Sequence, residues 1–273
     1  MMSALKTIFA ATRRLLRQWR VMAVMAAVYS ALLAALFLFI ATKEASRWQV
    51  MLTLVFAALA PALFFLLQAM IVNYAHGEAQ AKVLLRRSFR DSCRLALSSL
   101  PLALLVVLFI YFLNKPNFYS SLQQHLPSFT QERWSPMQPH SSNMDQSVPL
   151  SWSQLALYTL RLLLFAIILP LGAIHLWGAT LREGLITTIK KLPRNLVSVF
   201  APQPALVYTL GLALFGLIPY FLLFTHTPAS NSRVEFSLFV ARLILVFVFT
   251  LYGWALTVNA LTFANGAKGF EDV

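Results

Sequence analysis

Apolar positions along the chain gather into six long runs separated by polar segments: residues 21–42 ("VMAVMAAVYSALLAALFLFIAT"), 50–74, 96–114, 153–177, 205–225 and 236–262. Each reaches the roughly 17–25 residues with which a helix crosses the ~30 Å hydrocarbon core of a bilayer. The pattern predicts an all-α fold, a polytopic membrane helix bundle of six transmembrane helices forming a single integral membrane domain over 1–273. The first run follows a basic segment as a secretory signal would, but it exceeds the ~7–15 apolar residues of such a signal. It is read as a retained span.

Between the runs the pattern changes to amphipathic. In segment 1–20, Leu5, Ile8, Phe9, Thr12, Leu16 and Trp19 recur at helical spacing, with Lys6, Arg13, Arg17 and Arg20 on the other face. That alternation predicts an interfacial helix lying in the headgroup region. A second basic helix is expected over 76–96, where Ala81, Leu84, Leu85, Ser88 and Phe89 form the less polar stripe and Lys82, Arg86, Arg90 and Arg94 follow at four-residue intervals. A third, over 178–196, is weakened by Gly184 and ended or kinked by Pro193.

These segments share an entry motif, "RRLLRQ" at Arg13, "RRSFRD" at Arg86 and "KKLPRN" at Lys190. One reading is three pseudo-repeats of a basic surface helix plus a hairpin of two spans. "TLRLLLFAIILPLG" in the fourth run parallels "VARLILVFVFTLYG" in the sixth, and "NYAHG", "LWGAT" and "TFANG" close the even runs. The alternative is chance, because membrane spans draw on few residue types. Residues 115–152, rich in Pro, Ser, Gln and His, form the one sizeable external loop and are expected to carry a short surface helix near 120–126.

Composition agrees with the membrane reading: 59% of residues are hydrophobic and 11% charged, against roughly 25% charged in soluble domains. The net charge of +13 raises nucleic acid as a partner. However, the cations flank apolar spans instead of gathering on a solvated face with stacking aromatics, so no nucleic acid is expected. Segments 1–20, 76–96, 178–196 and 266–273 hold fifteen Lys and Arg, while the opposite loops hold five, Lys43, Arg47, Lys115, Arg133 and Arg233. The positive-inside bias then places both termini in the cytoplasm, with the bacterial inner membrane as the expected location. The even number of crossings agrees.

Candidate chemistry is sparse. Arg161 and Arg242 stand inside spans, where a cation is costly and often marks a site, and no Asp or Glu lies in any span to pair with them. They either snorkel outward or pair with backbone carbonyls, or they form an anion or lipid-headgroup site between the fourth and sixth spans. Gln68 and Asn259 are the nearby side chains able to add hydrogen bonds. Arg13, Arg14, Arg17, Arg86, Arg87, Arg90, Lys190, Lys191 and Arg194 are the expected contacts to anionic headgroups or to an acidic partner subunit. Asp91, Glu78 and Glu183 sit among these cations as surface ion pairs. Pro61, Pro170 and Pro219 interrupt spans.

The single cysteine, Cys93, forms no disulfide framework. His76, His125, His140 and His175 lack metal-site spacing, and no catalytic signature is present. No enzyme activity, catalytic residue, metal or cofactor is expected.

The basic-segment-plus-hairpin unit resembles a broad group of uncharacterised bacterial six-helix membrane proteins, together with the membrane domain attached to some bacterial glycerophosphodiester phosphodiesterases. The resemblance rests on hydropathy and the three short basic entries. It implies architecture, since that membrane domain is not the hydrolase. The functional expectation is an inner-membrane scaffold, regulator or lipid-handling component with membrane lipids as partners. Two alternatives are the permease subunit of an ABC-type exporter, contacting a cytoplasmic ATPase, and an accessory subunit bound to other protein subunits of a larger membrane complex.

Overall fold

The structure, a computed structural model, describes residues 9, 12–15, 17–42, 46–78, 80–113, 152–197, 201–225 and 232–268. The external loop, the first eight residues and the side chain of Arg194 lie outside the described residues. Eight helices follow in order: α1 (Trp19–Ala41), α2 (Arg47–Ala75), α3 (Ala81–Leu113), α4 (Trp152–Leu163, continued through a π turn at Leu164–Ile168 into Leu169–Glu183), α5 (Leu185–Lys190), α6 (Leu192–Val197), α7 (Pro202–Leu212, a π turn at Ala213–Leu217, then Ile218–Phe224) and α8 (Ser232–Lys268). Six of them, α1, α2, α3, α4, α7 and α8, are long and apolar enough to cross a membrane. The described residues contain no strand, and the chain is an all-α bundle of six membrane-length helices.

Helix ends follow local chemistry. Gln18, with φ −109° and ψ 50°, breaks the helical basic stretch 12–15 from α1. At the other end of α1, the backbone N–H of Thr42 and its hydroxyl both donate to Leu38 O, at 3.0 and 2.6 Å. The Ser46 hydroxyl caps α2 by accepting the Gln49 N–H at 3.4 Å. Gly77, at φ 115°, closes α2 in a Schellman turn: Glu78 N–H donates to Asn73 O and Gly77 N–H to Tyr74 O. Gly184, at φ 87°, ends α4.

The basic segments differ from the expected surface helices. Segment 76–96 is no separate helix: α3 begins at Ala81 and runs without interruption into the third span. Its 33 residues extend about 50 Å at ~1.5 Å per residue, well beyond a ~30 Å hydrocarbon core. Segment 178–196 is split, with α4 running to Glu183 and two short helices after it. The glycines of the even-span endings are also not equivalent, since Gly77 terminates a helix while Gly178 lies buried inside α4.

Both π turns precede a proline by two residues, Pro170 after Ile168 and Pro219 after Leu217. A proline ring clashes with the carbonyl four residues earlier, here Ala166 and Phe215. Widening the turn across those carbonyls relieves the clash and lets the helix continue. The chain divides into two compact units, Met1–Leu100 with Pro170–Val273, and Pro101–Leu169. Each boundary falls at a proline within a helix.

In the larger unit the core lies towards the basic ends of the helices. Residues 67–75 of α2, Leu84, Ser88, Asp91, Leu95 and Ser98 of α3, most of 171–180 of α4, and 255–261 of α8 are buried. At the opposite ends Phe37, Ile40, Phe224 and Phe236 are exposed, as suits side chains that face lipid. Close backbone approach between α7 and α8 uses glycine. A Cβ on Gly211 would stand 2.0 Å from Thr257 Oγ1, and one on Gly253 would stand 3.0 Å from Phe215 N. Gly211→Ala is therefore expected to lower stability by about 1–3 kcal/mol, the range for overpacking. Adding Thr257→Ala, which removes the clashing Oγ1 and Cγ2, should recover part of the loss. Thermal unfolding of the three variants in detergent checks both.

Candidate functional site

The densest polar arrangement in the larger unit joins α2 to α3. Asn73 is 1% exposed and stands in the last turn of α2, where the Schellman closure fixes the chain. Its Nδ2 donates one N–H to Ser88 Oγ and the other to Asp91 Oδ2, both at 3.2 Å. Ser88 and Asp91, three residues apart, share one face of α3. Asp91 is buried at 3% exposure, with Arg94 Nη1 at 3.5 Å from Oδ1 and Arg87 Nε at 3.7 Å from Oδ2. Arg87 continues to Glu78, Nη1 to Oε1 at 2.6 Å. A carboxylate withdrawn from water is held by one neutral donor and two guanidinium groups.

Beside it, Arg14 turns inward. Its Nη2 donates to Tyr74 O at 3.2 Å and its guanidinium carbon stands 5.1 Å from the Tyr74 ring centre, a cation–π contact. His76, just past α2, keeps Nδ1 2.8 Å from Val72 O, so that nitrogen carries the proton and donates. Desolvation pushes its pKa below the ordinary histidine value; the Val72 bond opposes this, and the Arg182 and Arg87 charges reinforce it.

Further along α2, Gln68 Oε1 accepts the Trp254 Nε1–H at 2.8 Å, linking α2 to α8. Similar single bonds join other helix pairs: Tyr29 OH to Thr250 Oγ1 at 3.2 Å between α1 and α8, and Trp177 Nε1 to Ser99 Oγ at 2.8 Å between α4 and α3. Asn259 is fully buried in α8, and both its Nδ2 and Oδ1 lack a hydrogen-bond partner among the described residues.

These positions separate the expected anion site into parts. Arg242 Nη1 donates to Thr225 O at 2.5 Å, the C-cap of α7. Of the two expectations for this arginine, pairing with a backbone carbonyl is the one seen, and it is favoured by the carbonyl-rich helix terminus. Asn259 lies seventeen residues further along α8, about 25 Å, and Gln68 is engaged with Trp254. The structure therefore does not gather Arg242, Gln68 and Asn259 into one site. Arg161, half-buried, belongs to the Pro101–Leu169 unit, where Leu164 is buried and Leu160, Leu162 and Leu163 are exposed.

Among the basic candidates, Arg13, Arg17, Arg86, Arg90 and Lys190 are exposed, Arg87 is tied to Glu78 and Asp91, and Lys191 Nζ pairs with Glu183 Oε2 at 2.7 Å. Arg194 lies outside the described side chains. Asp91 departs from the surface ion pair expected of it, because its carboxylate is buried against Asn73. Asn73, Tyr74 and Trp254 were not candidates from sequence, and Ser88 was read there only as part of the less polar stripe of 76–96; the one available signal for Asn73 was a polar side chain at the end of an apolar run.

The geometry defines the class, an integral membrane protein of the all-α type, and goes no further towards identity. No protein-family model, curated protein or solved structure matches the chain.

Replacing Asp91 by Ala leaves the buried Asn73 donor unpaired, and such an orphan costs about 1–3 kcal/mol. Asp91→Ala should therefore lower the unfolding temperature in detergent clearly more than Glu78→Ala, whose partner Arg87 is largely exposed. Equal effects would remove the buried bond from the account of stability.

Proposed function

We propose that the protein is a non-enzymatic component of the bacterial inner membrane, with both termini cytoplasmic, which scaffolds, regulates or handles lipid through anionic headgroups held at its basic rim. One observation carries this reading. Glu78, Asp91 and Glu183, the described acids of that rim, are all engaged in ion pairs with Arg87, Arg94 and Lys191, while Arg13, Arg17, Arg86, Arg90 and Lys190 remain exposed around them. An excess of exposed cations beside apolar helices favours phosphate-bearing headgroups, each cation contributing on the order of 1 kcal/mol.

Neutralising Arg86 and Arg90 together, as Gln, should weaken retention of phosphatidylglycerol by about thirtyfold at low salt, as read by native mass spectrometry from mixed-lipid nanodiscs. Retention equal to that of the unaltered protein would dismiss the basic rim as a headgroup surface.

A second reading, docking of a cytoplasmic subunit, draws support from the length by which α3 exceeds the hydrocarbon core. If the protein is the permease of an ABC-type exporter, a co-purifying ATPase should be released by charge reversal at Arg86, Arg87 and Arg90. An ATPase that stays bound would count against this contact. An accessory subunit of a larger complex would instead migrate with stable membrane partners in mild detergent.

A further inference from the structure

At the end of α7 and α8 opposite the basic rim, a cavity of about 290 Å³ is lined by Leu223, Phe224, Thr225, Glu235, Leu238, Phe239 and Arg242. Polar and apolar atoms line it alike, and it opens outward beside Phe224 and Phe239, 72% and 53% exposed. Tyr220 packs on Phe224 with ring centres 4.7 Å apart, adding an amphipathic ring of the kind enriched where a membrane meets water. Among the described residues two charged side chains line the cavity, Glu235 and Arg242, and they carry opposite signs. Glu235 stands in the first turn of α8, where a carboxylate complements the helix dipole. Arg242 follows seven residues later, two turns along the same face and about 10 Å further on.

The bond from Arg242 to Thr225 O positions the guanidinium against the rim of the cavity. The group is a fixed cation with five donors in a planar fork. The arrangement presents a cation, an anion and flanking apolar surface in one small concavity. An anionic lipid would satisfy the arginine and be repelled by the glutamate. A headgroup bearing both a phosphate and a primary ammonium joined by a two-carbon link satisfies both, while its acyl chains run inward from Arg242 past Phe224 and Leu223.

We infer that this cavity binds the headgroup of a zwitterionic aminophospholipid such as phosphatidylethanolamine, its phosphate on Arg242 and its ammonium on Glu235. The site is independent of the basic rim, which lies at the other end of α8 and selects by net negative charge.

The test places the full chain in nanodiscs of phosphatidylethanolamine and phosphatidylglycerol in equal parts and reads retained lipid by native mass spectrometry. The basic rim is first neutralised by Arg86→Gln and Arg90→Gln to remove its preference for phosphatidylglycerol. In that background phosphatidylethanolamine is expected to be retained in excess. Glu235→Gln, a substitution at an exposed position, should lower that excess by about threefold to fivefold, the span of an exposed charge pair. Arg242→Gln should reduce retention of both lipids. Equal retention of the two lipids before the Glu235 change, or an excess that Glu235→Gln leaves intact, overturns the inference. Neither result bears on the basic rim, whose own test is the loss of phosphatidylglycerol.

Discussion

Lipid gives apolar helices no hydrophobic reason to associate, because acyl chains solvate a leucine as well as another leucine does. What holds this bundle together has to be close packing and polar bonds, and the structure supplies both sparingly. Four pairs of membrane-length helices are joined by a single side-chain link or a compact group: Tyr29 to Thr250, Gln68 to Trp254, Asn73 to Ser88 and Asp91, Trp177 to Ser99. Between α7 and α8, besides the bond from Arg242 to Thr225 O, glycine lets the backbones approach, as at Gly211 beneath Thr257 and Gly253 beneath Phe215. Each polar partner is costly to leave unpaired in a dry interior, so each link also fixes a register.

The distribution of these links explains the uneven core. They cluster in the halves of α2, α3, α4 and α8 that lead to the basic rim, and there the side chains are buried. Towards the opposite ends the same helices present Phe, Leu and Ile outward. The prolines act on the same axis. Pro101 and Pro170 stand where the chain divides into its two units, and the π turns before Pro170 and Pro219 let the helices pass them without losing continuity.

Charge is sorted along that axis too. Among the described residues of the basic rim the acids are spent on ion pairs and the surplus is cationic, which suits an anionic leaflet surface. At the other end of α8 one arginine and one glutamate share a cavity with Leu223, Phe224, Leu238 and Phe239. Arg242 is tolerated deep in an apolar helix because its side chain reaches the carbonyl terminus of α7. The carbonyl there is an orphan of helix geometry and the cation meets it.

The six spans were legible in the sequence because hydropathy over some twenty residues reports the solvent of a helix directly. One helix end was legible too: Gly184 was marked as a weak point, and the structure ends α4 there. The continuity of α3 from basic segment to span was not legible, because a change from amphipathic to uniformly apolar pattern looks like a boundary even where the backbone continues. Nor was the fate of Asp91: with cations before and after it on the helix it reads as a surface ion pair, and only Asn73, fifteen or more residues earlier on another helix, draws it into the interior. Arg161 and Arg242 occupy parallel positions in similar strings, yet Arg242 is placed by a carbonyl on a neighbouring helix. The sequence by itself determined which segments are long and apolar enough to cross a membrane and that Gly184 interrupts a helix, since those depend on a residue and its near neighbours. Tertiary structure alone decided which polar groups are paired and which face a cavity, since a hydrogen bond needs two partners and the second is supplied by a different span.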